Sequence, residues 1–386
     1  MRICIVYDCL FPFTIGGAER WYRGLAEKLV AQGHQVTYLT LIQWEQANVP
    51  HIPGVTIIPV GPRMNLYHRG RRTLAPPLRF GLGVLWHLAR HGKRYDVVHT
   101  ASFPFFSVLA IGLTRPLGRF RVICDWHEVW SRGYWRQYLG RLGGEVGWLI
   151  QRLCAKVPQR AYAFSRLHAG RLGALGLRGQ VGLLTGEYQG SLHAPEAVAP
   201  VDPPTVVYAG RMIPEKRIPL LIEALPIARR SIPQLQAVIL GQGPESNLIR
   251  ERIAALGLHA VVSLPGFVSS AAVNEAMARS LCVVQPSSRE GYGMVVVEAA
   301  AAGAPAIVIA AEDNAAVELI ESGQNGFIVQ TPEPSALAAE IVRCWRAGET
   351  LRATTRAWYC RNAERLSIGH SLDEVTNAYD TRARSS

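Results

Sequence analysis

Short apolar segments typical of buried strands alternate with helix-forming segments along this chain, in two successive runs. Such alternation predicts parallel sheets covered by helices, because a parallel connection needs a crossover helix. The first run contains predicted strands at residues 2–8, 34–40, 55–60, 95–100 and 121–126, with helical segments at 18–31, 79–91 and 133–157. The second run contains predicted strands at 205–210, 236–241, 261–266, 281–286, 304–310 and 325–329, with helices at 218–230, 245–256, 270–279 and 334–347.

A proline-rich segment separates the two runs. Residues 191–204 contain four prolines and no periodic pattern of apolar residues, which indicates a linker. A chain of 386 residues is also too long for one ordinary core. We therefore predict an N-terminal Rossmann-like domain at 1–190 and a C-terminal one at 205–360. Residues 361–386 are expected to form a helix that packs back on the N-terminal domain, followed by a disordered tail.

Positive charge is concentrated in the first half of the chain. Residues 1–200 hold 24 Lys and Arg against 10 Asp and Glu, whereas the remainder holds 17 against 19. Seven of the nine tryptophans also lie in the first half. This composition suits an anionic membrane surface or an acidic substrate, and the competing interpretation is a solvated face rich in Arg. No helix-turn-helix, zinc-finger, RRM or KH pattern is present, so nucleic acid is not expected as a partner.

The cysteines and the apolar segments indicate where the protein works. Seven cysteines with irregular spacing and no metal-binding pattern favour a reducing, cytoplasmic setting. The N-terminus is typical of a strand and not of a signal peptide. The apolar stretch 291–311 is interrupted by Glu298, Gly303 and Pro305, which argues against a membrane span. Any membrane contact is therefore expected to be peripheral, at the inner face of the cell membrane.

The segment QPSSREGYGMVVVEAAAAG (residues 285–303) combines two carboxylates with a glycine-rich turn. Glu290 and Glu298 flank Gly291-Tyr292-Gly293, and the alanines that follow favour a short helix. A helix N-terminus attracts phosphate, and two nearby carboxylates accept hydrogen bonds from hydroxyls. The pattern therefore suits a nucleotide sugar. The competing interpretation is a strand of a buried sheet at MVVV, which leaves the two acids unexplained.

Two other loops that follow predicted strands contain groups suited to a diphosphate. Arg211 and Lys216 lie five residues apart in GRMIPEKR, where they suit phosphate contact; alone they are equally typical of surface cations. Gly241 and Gly243 in ILGQGP permit a close approach of backbone to a ligand, or simply a tight turn.

The first half offers two further motifs. Gly16 and Gly17 lie between the first strand and the first helix, where backbone N–H groups meet phosphate or merely form a turn. DWHEVW places Asp125, His127 and Glu128 at the end of a strand. The histidine is suited to a sugar hydroxyl or to charge in a transition state, whereas the acids are also typical of a helix start.

These fragments together resemble family 4 of the glycosyltransferases. AGRMIPEKRIPLLIEAL, ILGQGP, PGFV and PSSREGYGMVVVEAAAAGAPAIV are similar to its donor-binding half, and IGGAER and DWHEVW to motifs of its acceptor half. The pair of glutamates around Gly-Tyr-Gly is the most specific part. The resemblance implies the GT-B fold, an α/β architecture of two Rossmann-like parallel-sheet domains facing each other across a deep cleft. One segment departs from the family: TGEYQG (residues 185–190) replaces its usual Asn-Gly-Val-Asp.

The resemblance also implies roles for individual residues. Arg211 and Lys216 match the cations on the donor diphosphate, Glu290 matches the group that holds the sugar hydroxyls, and His127 matches the histidine near the transferred sugar. Glu298 matches the acid on the donor ribose. The implied donor-binding residues are Gly16, Gly17, Gly241, Gly243, Val268, Gly291, Tyr292, Gly293 and Glu298, with backbone near Val268 contacting the base.

The sequence thus predicts a retaining, metal-independent hexosyltransferase. Its donor is expected to be a UDP- or GDP-sugar, and its acceptor a lipid-linked or saccharide hydroxyl in glycan, exopolysaccharide or glycolipid synthesis. The nucleotide sugar is a co-substrate, and no cofactor or metal is expected. The alternative is a non-catalytic nucleotide-sugar-binding or scaffolding protein. A dinucleotide oxidoreductase is disfavoured because no GxGxxG motif follows the first strand.

Overall fold

A computed structural model describes residues 1–14, 16–45, 50–68, 71–194 and 197–380. The chain forms two compact units. The first unit contains Met1–Glu187 together with the C-terminal segment from Ile368, and the second contains Tyr188–Ser367. Both are α/β units built on a parallel sheet, as the alternation of strand and helix patterns predicts.

The first unit has nine strands and six helices in the described residues. Its strands are β1 (Arg2–Val6), β2 (Gln35–Leu41), β3 (Val55–Gly61), β4 (Tyr67–His68), β5 (Arg71–Arg72), β6 (Val97–Ala101), β7 (Arg121–Trp126), β8 (Gln159–Ala163) and β9 (Gly179–Leu183). Its helices are α1 (Gly17–Ala31), α2 (Ala75–His91), α3 (Phe106–Gly118), α4 (Arg132–Lys156), α5 (Arg166–Ala174) and α11 (Ile368–Asp380).

Seven of these strands form one parallel sheet in the order β3-β2-β1-β6-β7-β8-β9. The order reverses between β1 and β6, which is the topological switch point of a doubly wound sheet. The connections β3–β6, β6–β7 and β7–β8 all run in the same direction across the sheet. Because such crossovers are right-handed, α2, α3 and α4 cover one face of it. On the other face, α1 packs against the C-terminal helix α11.

The second unit repeats this architecture. Its strands are β10 (Thr205–Ala209), β11 (Gln236–Leu240), β12 (Val262–Gly266), β13 (Cys282–Gln285), β14 (Arg289–Glu290), β15 (Ala306–Ile309), β16 (Asp313–Asn314) and β17 (Gly326–Val329). Its helices are α6 (Ile218–Ala228), α7 (Ser246–Ala255), α8 (Ser270–Ala278), α9 (Met294–Ala301) and α10 (Pro334–Leu366). Six strands form a parallel sheet in the order β12-β11-β10-β13-β15-β17, with its switch point between β10 and β13.

The predicted linker differs from what the structure shows. Residues 191–194 and 197–204, which the structure describes, lie within the second unit. The Tyr359 hydroxyl donates to the Ser191 carbonyl, and the Arg352 guanidinium donates to the Val198 carbonyl. These contacts tie the segment to α10. The chain passes between the units near residues 187–188 and 367–368 instead.

The C-terminal segment belongs to the first unit from Ile368 onward, seven residues later than the predicted boundary at residue 361. Helix α10 continues past the predicted end at 347, with a break at Gly348, whose φ of 51° lies in the left-handed region. The segment after it, α11, belongs to the first unit: Lys28 pairs with Asp373 at 2.5 Å, and Gln32 donates to Thr376. The tail after Asp380 lies outside the described residues. Within the described part of the chain, no helix is both long and apolar enough to cross a membrane.

Candidate functional site

The predicted donor motifs in the second half of the chain follow strands of the second sheet, at its carboxyl edge. The loop with Arg211 and Lys216 follows β10, the one with Gly241 and Gly243 follows β11, and the one with Glu290 follows β13. Strands β10 and β13 are neighbours on either side of the switch point. Ligands of open α/β sheets bind at this position, because the loops diverge there and leave a crevice.

An ion pair joins the loops after β10 and β13. Lys216 Nζ lies 2.5 Å from Glu290 Oε1, and the two side chains are 15% and 13% exposed. Gln285, at the end of β13, donates to the same carboxylate oxygen at 2.6 Å. The Ser288 N–H and hydroxyl both donate to the Glu215 carbonyl, at 2.8 and 3.1 Å. The structure therefore brings Lys216 and Glu290, which are far apart in sequence, into one site.

The Gly291-Tyr292-Gly293 turn leads into α9. Gly293 precedes the first residue of the helix with a φ of 108°, and a Cβ at this position would lie 2.6 Å from the Ala316 Cβ. Only glycine fits this conformation and this close approach without strain. Tyr292 is buried. The sequence MVVVEAAA is helical, so the loop, helix and stop predicted from the sequence are confirmed and the strand alternative is wrong.

Glu298 lies within α9 and is half-buried. Burial, together with the negative charge of Glu298, raises the pKa of Tyr188 in the same unit. The helix places the carboxylate a little over one turn after the glycine turn, because Glu298 is five residues after Gly293 along the chain. Its predicted role on a ribose stays a prediction.

A small cavity of about 230 Å³ lies beside the loop after β11. Gly241 has a φ of 125°, and a Cβ there would lie 2.0 Å from the Gly210 carbonyl oxygen. A Cβ on Gly243 would lie 2.3 Å from the Met212 carbonyl oxygen. The glycines thus allow two loops to pack closely. The cavity is lined by Met212, Gly241, Gln242, Gly243, Ser246, Arg250, Leu264 and Gly266.

Val268 follows β12, the strand next to β11, and is half-buried. Its neighbour Phe267 is 84% exposed. Arg211 is exposed as well, and its guanidinium makes no hydrogen bond or ion pair with the residues that the structure describes. Its backbone carbonyl is held by the Tyr208 hydroxyl at 3.0 Å. The cation is therefore available to an anionic ligand.

His127 lies just after β7 in the first unit, where its ring is held from two sides. Nδ1 is 3.2 Å from Glu187 Oε1, and the ring stacks on Phe164 with centroids 4.3 Å apart. Nε2 is buried and has no partner among the described residues. Burial lowers the pKa of His127, but the hydrogen bond and the charge of Glu187, with Asp125 and Glu128, outweigh it and raise the pKa overall.

Asp125 supports this region from the core. Its Oδ2 accepts hydrogen bonds from Trp21, Tyr22 and His99 at 2.7 to 2.9 Å. Burial raises the pKa of Asp125, but the His99 charge and hydrogen bond lower it overall. The carboxylate is thus a core group and does not cap a helix. His99 bonds in addition to the Tyr379 hydroxyl of α11, which agrees with a structural role for His99.

Gly16 and Gly17 form the start of α1. Gly16 is extended, and no side chain of the described residues caps this helix. Its first N–H groups therefore have no side-chain acceptor, as an anion site requires.

Sequence reasoning missed two partners of the site residues. Glu187, which lies in the segment that departs from the family pattern, holds His127, and Gln285 holds Glu290. No local motif marks Glu187, because it acts across 60 residues, whereas Gln285 lies five residues before Glu290, at the start of the segment QPSSREGYGMVVVEAAAAG. The predicted absence of a metal is not tested by the structure and stays a prediction.

Two family models match this chain. The model for glycosyl transferases group 1 matches residues 193–357, and the model for glycosyltransferase family 4 matches residues 15–181. The two matches fall in the second and the first unit respectively.

Individual relatives agree with these models. A phosphatidyl-myo-inositol mannosyltransferase of Mycobacterium leprae is 30% identical over 183 residues, which are 47% of this chain and 47% of that protein. The first relatives found are matched over less than half of their own length. The uncharacterized glycosyltransferase MJ1607 of Methanocaldococcus jannaschii is 25% identical over 89% of this chain and 88% of its own.

The fold is shared with solved structures. Anabaena HepE in complex with UDP superimposes with a TM-score of 0.72 and 19% identity, over 99% of this chain and 100% of that chain. The two parallel sheets are consistent with this likeness. The chain belongs to the glycosyltransferases of family 4, which have the GT-B fold.

Proposed function

We propose that the protein is a retaining hexosyltransferase that transfers a sugar from a nucleoside diphosphate sugar to an acceptor hydroxyl without a metal ion. One observation carries the proposal: Lys216 and Glu290, from loops on either side of the switch point, meet at 2.5 Å beside the glycine turn of α9. A cation, a hydrogen-bond acceptor and the N-terminus of a helix then lie together at the switch point, where ligands of such sheets bind.

The proposed chemistry is stabilisation of the leaving group. Departure of a nucleoside diphosphate places negative charge on its phosphates, and Arg211, Lys216 and the N-terminus of α9 oppose that charge. The Lys216 ammonium has three donor hydrogens, so it is able to keep its ion pair with Glu290 while it donates a hydrogen bond to a phosphate. Glu290 would accept hydrogen bonds from the sugar hydroxyls, and Glu298 from the ribose.

The proposed retention of configuration follows from the family resemblance. Glu290, the carboxylate at the centre of the site, is already paired with Lys216 and Gln285, so it is a poor nucleophile. We therefore favour attack of the acceptor on the same face from which the diphosphate leaves. The contribution of His127, Gly16 and Gly17 stays a prediction.

The donor is proposed to be a UDP- or GDP-sugar. The HepE structure, which shares this fold, contains UDP. The cavity of about 230 Å³ bordered by Gly241 and Gly243 offers backbone groups to a base. Backbone contacts do not depend on the identity of the side chains, so the sequence does not identify the base, and an experiment has to do so.

Nucleotide release from a panel of UDP-, GDP- and ADP-sugars, with and without EDTA, tests the proposal. We expect release with one donor family, unchanged by EDTA, and a thermal shift with the matching nucleotide. Arg211→Ala should lower the rate by about 10²–10³, whereas Arg230→Ala, an exposed arginine of the same unit, should not. Nucleotide binding without any turnover on saccharide or lipid-linked acceptors would favour a non-catalytic binding protein instead.

The acceptor is proposed to be a saccharide or a lipid-linked saccharide at the inner face of the cell membrane. One relative is named for phosphatidyl-myo-inositol. The excess of basic residues in the first half supports an anionic acceptor or membrane surface. Comparing turnover on acceptors with and without a lipid separates these two classes.

A further inference from the structure

We propose that α2, α3 and α4 of the first unit form a surface that docks on an anionic lipid bilayer, with the second half of α4 lying in the interface. The use of this surface, which is to bring a lipid-linked acceptor to the enzyme, rests on the proposed function. Its evidence is the distribution of exposed apolar side chains and arginines.

The second half of α4 exposes a continuous apolar stripe. The stripe consists of Leu142, Val146, Leu149 and Leu153, spaced four, three and four residues apart, so they share one side of the helix. Leu142 is 85% exposed. The opposite side of the helix carries buried residues, including Gln151 and Cys154, and is packed inward. The stripe of Leu142, Val146, Leu149 and Leu153 therefore faces away from the protein, where a surface helix usually carries polar residues.

Helix α2 has a second stripe. Leu78, Leu82 and Trp86 are exposed at intervals of four residues and continue the line of Leu74, just before the helix. Trp86 is 59% exposed, and the Arg90 guanidinium stacks on its ring at 3.7 Å. Tryptophan and leucine on an exposed helix with arginine beside them are typical of helices that lie in a membrane interface.

Helix α3 connects these two stripes. It packs along α2 and also contacts α4. Leu113 and Leu117, four residues apart, are exposed on it, and Leu113 is 71% exposed. Since the three helices cover the same face of the sheet, their exposed sides point away from it in a common direction. The three sets of leucines therefore belong to one outer layer.

The charge on this layer fits an anionic partner. The three helices contain eight Arg and Lys residues and a single acidic residue, Glu145. Glu145 is occupied by Arg132 and Arg136. Arg79, Arg90, Arg115, Arg141 and Arg152 lie among the exposed leucines. Apolar side chains surrounded by unopposed arginines match the acyl region and the phosphates of a bilayer surface.

The second unit lacks such an arrangement in its described residues. Its large exposed apolar residues are scattered: Leu192, Val201, Leu248, Leu256, Phe267 and Trp345. Monomeric proteins rarely expose contiguous apolar patches without a partner. A second copy of the chain is a poorer occupant, because two such basic surfaces would repel each other.

Vesicle co-sedimentation of the full chain tests the proposal. We expect binding to vesicles of phosphatidylcholine mixed equally with phosphatidylglycerol, weak binding to phosphatidylcholine alone, and loss of binding at high salt. The double variant Leu142→Glu/Val146→Glu should bind the anionic vesicles at least about tenfold more weakly. The matched control Leu248→Glu/Leu256→Glu places the same charges on exposed leucines of the second unit and should bind like the wild type.

Three results would overturn the proposal. They are failure of the wild type to bind anionic vesicles, wild-type binding by the α4 double variant, and a dimer in light scattering that the double variant converts to monomer. Thermal unfolding of each variant confirms that it is folded. Vesicle binding needs no sugar donor, and nucleotide release with a lipid-free acceptor needs no vesicle. Each assay therefore tests its own proposal even if the other proposal fails.

Discussion

Replacing Lys216 by alanine separates the structural from the catalytic contribution of the switch-point ion pair. Lys216 Nζ and Glu290 Oε1 lie 2.5 Å apart, and the side chains are 15% and 13% exposed. In the variant, the Gln285 amide, at 2.6 Å, is the one hydrogen-bond donor that the carboxylate keeps among the residues that the structure describes. Hydrogen bonds to charged groups contribute about 1.5–3 kcal/mol, and breaking a fully buried ion pair costs about 3–5 kcal/mol.

Both side chains retain some contact with solvent, so the lower range applies. We expect Lys216→Ala to lower the free energy of unfolding by about 1–2 kcal/mol. Its effect on catalysis should be larger. Loss of one preorganised charge contact lowers the rate by about 10²–10³, which corresponds to about 2.7–4 kcal/mol of transition-state stabilisation. The protein should therefore stay folded while turnover is nearly lost.

The double variant Lys216→Ala/Glu290→Gln distinguishes the two effects. It removes the carboxylate that the single variant leaves unpaired, so most of the lost stability should return, while the rate stays low. Urea unfolding followed by circular dichroism gives the stability, and initial rates of nucleotide release give the activity. Lys93→Ala, at an exposed position of the first unit, is the control and should change the unfolding free energy by less than about 0.5 kcal/mol.

Two outcomes would refute this reasoning. Normal turnover in Lys216→Ala would show that the cation does not act on the leaving group. A double variant as unstable as the single one would show that the unpaired carboxylate is not the source of the instability.

Two further predictions concern the supports of the site. Because the pKa of His127 is raised in the folded state, its pairing with Glu187 stabilises the protein fully below the unfolded pKa of about 6.5 and ceases to do so as the pH rises through the folded pKa. Glu187→Gln should therefore cost more stability at about pH 5.5 than at about pH 8.5 in urea titrations, and equal costs would contradict the pairing. Gly293→Ala should destabilise the protein by more than about 1 kcal/mol and weaken nucleotide binding in thermal-shift assays, because the new Cβ would lie 2.6 Å from the Ala316 Cβ. Gly257 also has a positive φ, but a Cβ there would meet no atom within 4 Å, so Gly257→Ala measures the cost of backbone strain alone. An equal loss of stability in the two variants would show that the clash with Ala316 does not contribute.

Local patterns in the sequence were sufficient for most of the architecture. Strand 121–126 and the N-terminal bounds of the helices at 218 and 334 agree with the structure. The misses have particular causes. Residues 106–118 were not assigned, because α3 is apolar over most of its length and contains Pro116. Strand β9 has glycines at 179 and 182 and is little buried, so its sequence carries no strand pattern. Its extended conformation depends on pairing with the neighbouring strand β8.

The fold class, the family and most residues of the site were predictable from local patterns, because the alternation of strands and helices and the Glu290–Glu298 spacing are local properties of the chain. Tertiary structure alone decided which groups meet. Lys216 and Glu290 are 74 residues apart along the chain, and His127 and Glu187 are 60 residues apart. Each pair forms because segments that follow different strands of its own sheet meet at the carboxyl edge of that sheet. It also decided which leucines face outward, since helical spacing places Leu142, Val146, Leu149 and Leu153 on one side of α4, and only the packing of the helix shows that this side stays exposed.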